Sequence, residues 1–241
     1  MLHSRLLSAF DDIVHAFTER SEGNIAFHVD DTADHVHDRQ QELAERLGYE
    51  RRHLIHMCQV HSDTIVAASD EHGYDMPPTC DATITDRPGQ PLMVMVADCT
   101  PILLYDSETK VVAAVHAGRK GAFENIVGKS IERMVKDYGC EAKNIIAVLG
   151  PSIRACCYEV GKEINKEAEE LGLEYAMQEQ NGRYYLNVNA IILKQLESAG
   201  VSQAHTESLA TCTSCENNRF FSYRADGQKT GRFAGVIMLK D

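Results

Sequence analysis

The chain has 241 residues, 44% hydrophobic and 25% charged, enough for a substantial core and an ordinary globular balance. A formal net charge of -12 argues against a sequence-independent grip on nucleic acid or anionic lipid, but leaves room for a small anionic substrate met by a local basic pocket. No run approaches the roughly 18–20 apolar residues of a membrane span, and the start, MLHSRLLSAFDDIVHAF, lacks the apolar core of a signal peptide. A cytoplasmic protein with its eight cysteines reduced is therefore expected.

Along the chain, Thr32–Leu47 reads as a surface helix capped by Thr32 and closed by Gly48, with Val36, Leu43 and Leu47 as its apolar points. His53–Ser69 alternates and predicts strand, with a turn at His61-Ser62-Asp63. Ala82–Thr85 is a short strand, followed by a turn at Asp86-Arg87-Pro88-Gly89. Pro91–Ala97 is an apolar run of strand length. The stretch from Val94 to Gly121 then holds two apolar arms around the polar turn Asp106-Ser107-Glu108-Thr109-Lys110, a predicted hairpin. Ala122–Tyr138 is a helix with Ile126, Val127, Ser130, Ile131, Met134 and Val135 inward. Asn144–Leu149 is a buried strand, Gly161–Leu171 and Asn189–Ala199 are helices, and Thr206–Leu209 and Gly235–Leu239 are strands. Helices mixed with hairpins favour an α+β class over a doubly wound parallel sheet. With no linker, repeat or low-complexity segment, one domain over residues 1–241 is expected.

Pairing Tyr105 with Lys110 and counting outward sets Cys99 opposite His116, and directly opposed residues hold their Cβ atoms roughly 4.5–5.5 Å apart. A thiol and an imidazole so placed make a metal site, a nucleophile with its base, or a buried cysteine beside a strand-end histidine. His61, before a turn, would complete a His-Cys-His set, and three protein ligands leave a fourth tetrahedral position open, as in catalytic zinc sites. The same donors suit copper.

His116-Ala117-Gly118-Arg119-Lys120-Gly121 joins strand to helix. It offers either an anion site at a helix N-terminus or a tight turn with solvated cations. Cys212-Thr213-Ser214-Cys215 is half of a structural zinc site with no second half following it; packed thiols or a redox pair are the other readings. Cys156-Cys157 are adjacent and poorly placed for a mutual disulfide. His35-Val36-His37 suits a wet helix face, and Phe220-Phe221-Ser222-Tyr223-Arg224 either stacks on a purine or packs a loop.

Several stretches run in one order from about residue 24 to the end: Gln59-Val60-His61, Asp81-Ala82, Ala97-Asp98-Cys99-Thr100-Pro101, Val115-His116-Ala117-Gly118, Gly150-Pro151, Cys157-Tyr158-Glu159-Val160-Gly161, Cys212-Thr213, and Arg219 to Arg224 with Gly231-Arg232. On these the chain resembles the YfiH/YlmD family, also called laccase-domain or polyphenol-oxidase proteins. The resemblance implies mixed β-sheets packed with outer helices in a YfiH-like architecture. It implies zinc on His61, Cys99 and His116, with copper as the alternative metal. The implied partners are purine nucleosides and phosphate, for a monomer or homodimer. Two departures bear on substrate range: Arg119-Lys120 stands where the family has Trp-Arg, and Arg20-Ser21-Glu22-Gly23-Asn24 where it often has Gly-Gly-Val-Ser.

The implied chemistry is phosphorolysis of adenosine, inosine, guanosine and methylthioadenosine, with deamination of adenosine. A carboxylate must carry protons, Asp98 first and Asp81 second. Phosphate needs cations, for which Arg119, Lys120 and Arg224 are candidates. One alternative keeps the residues and makes Cys99 a nucleophile with His116 as base, in a Cys-His hydrolase or amidase editing peptidoglycan precursors. A copper polyphenol oxidase is disfavoured by the shortage of paired histidines. A binding module with a structural metal is disfavoured by an open three-ligand site.

Overall fold

The computed structural model describes residues 1–241. Its strands are β1 (Ile13–Phe17), β2 (Ile55–His56), β3 (Ile65–Ala67), β4 (Ala82–Thr85), β5 (Leu92–Val96), β6 (Thr100–Asp106), β7 (Val111–Ala117), β8 (Ile145–Leu149), β9 (Glu159–Val160), β10 (Met177–Gln180), β11 (Arg183–Leu186), β12 (Thr206–Ser208) and β13 (Phe233–Leu239). The α-helices are α1 (Ala33–Leu47), α2 (Arg119–Phe123), α3 (Ile126–Tyr138), α4 (Lys162–Glu170), α5 (Val188–Ser198) and α6 (Tyr223–Asp226). The strands form a six-stranded mixed sheet ordered β12-β8-β6-β7-β4-β3, a four-stranded mixed sheet ordered β1-β13-β5-β2, and a small sheet ordered β10-β11-β9. This is the expected α+β class with helices outside mixed sheets. No helix is long and apolar enough to cross a membrane.

Alternation along the strands sorts the side chains into three cores. Leu103, Tyr105, Val112, Ala114 and Val148 of the six-stranded sheet meet Leu92, Val94, Phe233 and Ile237 of the four-stranded sheet, so the two sheets lie face to face. The opposite face of the larger sheet, with Ile102, Leu104, Ala113 and Val115, packs on Ile126, Ile131 and Met134 of α3 and Ile191 and Ile192 of α5. The outer face of the smaller sheet, with Met93, Met95, Val236 and Met238, packs on Leu43, Ala44 and Leu47 of α1. Helix, sheet, sheet and helix therefore stack in layers. Strands buried on both faces need no polar alternation, which is why β6, β7 and β13 read as continuous apolar runs.

Helix α1 matches its sequence reading: Thr32 Oγ1 accepts from His35 N at 3.4 Å, and Gly48 closes the helix at φ +74°. The helix expected over Ala122–Tyr138 is instead two, starting at Arg119 and broken at Asn125, whose φ is +62°. Val135, expected inward, is exposed. Strand was expected on both sides of a turn at His61-Ser62-Asp63 within His53–Ser69; the turn is present, with His61 at φ +60°, but the strands are only the short β2 and β3. The β10–β11 hairpin was not foreseen, although Asn181-Gly182 at its tip takes the left-handed conformations that its turn type demands.

The β6–β7 hairpin exists with a different register. Asp106 pairs with Val111, Tyr105 with Val112 and Pro101 with His116, so Cys99 precedes the paired region instead of facing His116. The loop is Ser107–Lys110, because Asp106 Oδ1 accepts from the N–H groups of Glu108 and Thr109 and holds Asp106 in the ladder. Shifting the loop by one residue moves the pairing by two, and a slip of two leaves every side chain on its original face.

β1 carries a buried histidine. His15 Nε2 accepts from Ser4 N at 2.9 Å, and burial, aided by His3, pulls its pKa down from 6.5 to about 4. A depressed pKa means that the unfolded chain binds the proton first as pH falls. Stability is complete above about 6.5 and declines toward pH 4. Urea unfolding should show about 2 kcal/mol lost between pH 7 and pH 5 through this group. His15→Gln, which keeps an acceptor for Ser4, should flatten that part of the profile; an unchanged profile would exclude His15 as its source.

Candidate active site

Three side chains from separate segments meet where the sheet gives way to loops. His116 is next to last in β7 and buried. Cys99 stands immediately before β6, after a bend at Asp98, whose φ of +90° is rare outside glycine. His61 lies in the turn between β2 and β3 at φ +60°. Cys99 Sγ is 3.8 Å from His61 Nε2, the rings of His61 and His116 are 4.8 Å apart between centroids, and the three ligand atoms all lie within 4.8 Å of one another. Gly118 makes this approach feasible, since a Cβ there would come within 3.0 Å of both Cys99 Sγ and His61 Cδ2.

Asp81 organises the set from beneath. It is fully buried, and its Oδ1 accepts from His116 Nδ1 at 2.8 Å and His61 N at 3.0 Å. Its Oδ2 accepts from Ser62 N at 2.6 Å and Ser62 Oγ at 2.8 Å. One carboxylate thus fixes the strained turn carrying His61 and the tautomer of His116, leaving His116 Nε2 toward Cys99. Gln59 ties the same turn to β5 through Met95, accepting from its N–H at 2.9 Å and donating to its carbonyl at 2.8 Å.

The electrostatics follow from this crowding. Burial raises the Cys99 thiol pKa, but His116 and His61 outweigh it and bring it down to about 6. Burial lowers His116, but the Cys99 sulfur and Asp81 carboxylate outweigh it and lift it to about 9. Burial also opposes the charge on Asp81, yet the His116 and Ser62 hydrogen bonds hold it well below the carboxylate range. Without a metal the protein therefore favours a thiolate beside an imidazolium. A metal bound here would take the thiolate directly and would have to displace the imidazolium proton of His116.

A cavity of about 860 Å³ opens over these residues. Phe27, His28, Tyr158 and Tyr223 line it, with Asp98, Arg119, Arg224 and Arg232. Asp98 accepts from Thr213 Oγ1 at 2.6 Å and from Arg224 N at 2.7 Å. Arg224 lies over the Tyr158 ring and donates to the Glu159 carbonyl at 2.9 Å. Arg119 pairs with Glu167 at 2.7 Å. Lys120, grouped with Arg119 in the sequence reading, does not line the cavity; its side chain is exposed and 3.8 Å from Glu124. Successive helix residues point about 100° apart, so one of the two faces the cavity and the other faces water. Arg232 was noted only as part of a motif; its guanidinium is anchored to the carbonyls of Thr230 and Gly231 at 2.8 and 3.0 Å. Its place here follows from β13 returning beside β5, a pairing that no local signal announces.

Residues 15–240 match the family described as multi-copper polyphenol oxidoreductase laccase. A Bacteroides thetaiotaomicron protein named purine nucleoside phosphorylase is 31% identical, with 99% of this chain and 96% of the relative covered. One of the same name from Clostridium acetobutylicum is 37% identical over 77% of this chain and 76% of its own length. Among solved structures, Bacillus licheniformis YfiH superposes with a TM-score of 0.90 at 30% identity, covering 95% of this chain and 93% of that one. YlmD from Geobacillus stearothermophilus gives 0.89 at 26%, covering 96% and 93%. In sequence, in fold and in motif order, this chain belongs to the YfiH/YlmD family of laccase-like domains.

Proposed function

We propose that this protein is a zinc-dependent purine nucleoside phosphorylase acting on adenosine, inosine, guanosine and methylthioadenosine, with adenosine deaminase activity at the same site. The observation that carries the reading is the convergence of His61, Cys99 and His116, donor atoms within 4.8 Å of one another, in a cavity that also presents arginines and aromatic rings. The names of the relatives support the phosphorylase part. The donor set fits zinc: zinc–nitrogen and zinc–sulfur bonds of roughly 2.0–2.3 Å span a triad of this size, and an open fourth position remains. Of the two His/Cys clusters in the fold only this one contains histidine, which weighs against a multinuclear copper oxidase. Bound zinc would supply a Lewis acid able to polarise a water or a substrate atom.

In phosphorolysis a phosphate oxygen bonds to ribose C1′ as the bond to the purine nitrogen breaks, and the leaving base takes up a proton. We assign the phosphate to Arg119, Arg224 and Arg232, each of which keeps N–H donors beyond those already used. Phe27, Tyr158 and Tyr223 offer ring faces to the purine. Asp98 is the candidate proton carrier because it lines the cavity and retains acceptor capacity. Asp81 orients His116, since each of its oxygens already accepts at least two hydrogen bonds from protein, against one for each oxygen of Asp98, and it does not line the cavity.

The deciding experiment assays metal-quantified protein on adenosine with and without phosphate. Adenine and ribose-1-phosphate, formed only with phosphate, support the phosphorylase, and inosine supports the deaminase. Neither product, with amide cleavage instead, would favour the second reading, for which the thiolate–imidazolium state of Cys99 and His116 is the specific support. Within the phosphorylase, Arg119→Ala should raise the phosphate KM about tenfold, the loss of one hydrogen bond to a charged group. It should leave phosphate-independent deamination within about twofold, and Lys120→Ala should leave both unchanged. Equal phosphate dependence in wild type and Arg119→Ala would pass the role to Arg224 and Arg232.

A further inference from the structure

We propose that Cys156, Cys157, Cys212 and Cys215 form a second metal site, a closed tetrathiolate for a structural zinc ion that clamps two active-site loops together. The four sulfurs lie within 4.8 Å of one another, with Cys215 Sγ 3.6 Å from Cys156 Sγ and 3.3 Å from Cys157 Sγ. Four sulfurs at about 2.3 Å from a central zinc stand roughly 3.7 Å apart, close to the arrangement found. All four are free thiols. The half-site Cys212-Thr213-Ser214-Cys215 does have a second half; it precedes the first in the chain, on the turn carrying Cys156 and Cys157.

The backbone holds the halves in register. Ser152 N donates to the Thr211 carbonyl at 3.1 Å, and Thr213 N donates to the Ser152 carbonyl at 3.2 Å. The cluster contains no imidazole or carboxylate, and sulfur-only tetrahedral sites select zinc or iron. With four protein donors no position is left for substrate, so the ion would be structural. What it would brace is specific: Thr213 holds Asp98, and Arg224 donates to the Cys157 carbonyl at 3.3 Å.

The test is metal stoichiometry on the full chain purified without chelators. Wild type should carry about two zinc ions, and the Cys212→Ser/Cys215→Ser double variant and Cys99→Ala about one each. X-ray absorption on Cys99→Ala should show a sulfur-only shell around the remaining zinc, which decides the matter even if the double variant does not fold. A zinc content unaffected by the double variant, a mixed nitrogen and sulfur shell in Cys99→Ala, iron in place of zinc, or a Cys157–Cys215 disulfide in peptide maps would each overturn the proposal. Absence of zinc from the His61, Cys99 and His116 site would leave the sulfur-only signal standing, so the two sites fail separately.

Discussion

Cys99→Ala is expected to lower kcat/KM for adenosine phosphorolysis by about 10³-fold or more, because Lewis-acid stabilisation is worth several kcal/mol and each 1.36 kcal/mol is tenfold. The methyl group offers no electron pair, so either role for Cys99, ligand or nucleophile, ends with the sulfur. The fold should persist: the side chain packs only at the margin of the core between the sheets, and alanine introduces no polar group. Cys212→Ala and Cys215→Ala, each leaving three thiols of the other cluster, should retain a measurable share of activity at a temperature where they remain folded. Steady-state kinetics with circular dichroism on the three variants separates the roles. Equal loss of activity in all three, with native spectra, would show that Cys99 has no special place.

Asp81→Asn should be nearly as costly by a different route. The carboxylate is fully buried, and every partner around it is a donor: His116 Nδ1, the N–H groups of Val60, His61 and Ser62, and the Ser62 hydroxyl. Asparagine keeps the shape but turns an NH2 group toward some of these donors, leaving buried polar atoms unmatched at a cost of about 1–3 kcal/mol. For a chain of this length that is a fall in Tm of roughly 2–12 °C. Loss of the anchor also frees the His116 ring and the His61 turn, so zinc affinity should drop about 10–100-fold. Competition with a chromophoric chelator measures the affinity, and a thermal melt measures the stability. Unchanged zinc affinity would mean that the two imidazoles hold their positions without Asp81. The activity of Asp81→Asn saturated with zinc separates orientation from proton transfer, since an orienting residue is largely rescued by excess metal and a proton carrier is not.

The legible parts of this chain were those with a local cause. Thr32 and Gly48 bound α1 through capping geometry that depends on neighbours in sequence. The apolar runs of β6, β7 and β13 followed from burial on both faces. The motif order carried the family and, through it, His61, Cys99 and His116. Misreadings arose where a single residue overrode the hydrophobic pattern: Asp106 moved the hairpin loop by bonding within it, and a left-handed Asn125 broke a helix that periodicity alone would continue. The pairing of Tyr105 with Lys110 was displaced by two residues, which put Pro101 and not Cys99 opposite His116.

The amino-acid sequence by itself therefore determined the α+β class, the strand-rich core and the identity of the three candidate ligands, because periodicity, caps and motifs are short-range properties of the chain. Only the tertiary structure decided which carboxylate holds His116 and which lines the cavity. It also turned Arg119 to the cavity and Lys120 to water, brought Arg232 beside them, and closed four thiols from two distant turns into one cluster. Those outcomes depend on where β13 and the loops after β8 and β12 return against the sheets, and contacts between residues far apart in sequence leave no periodic trace in either segment.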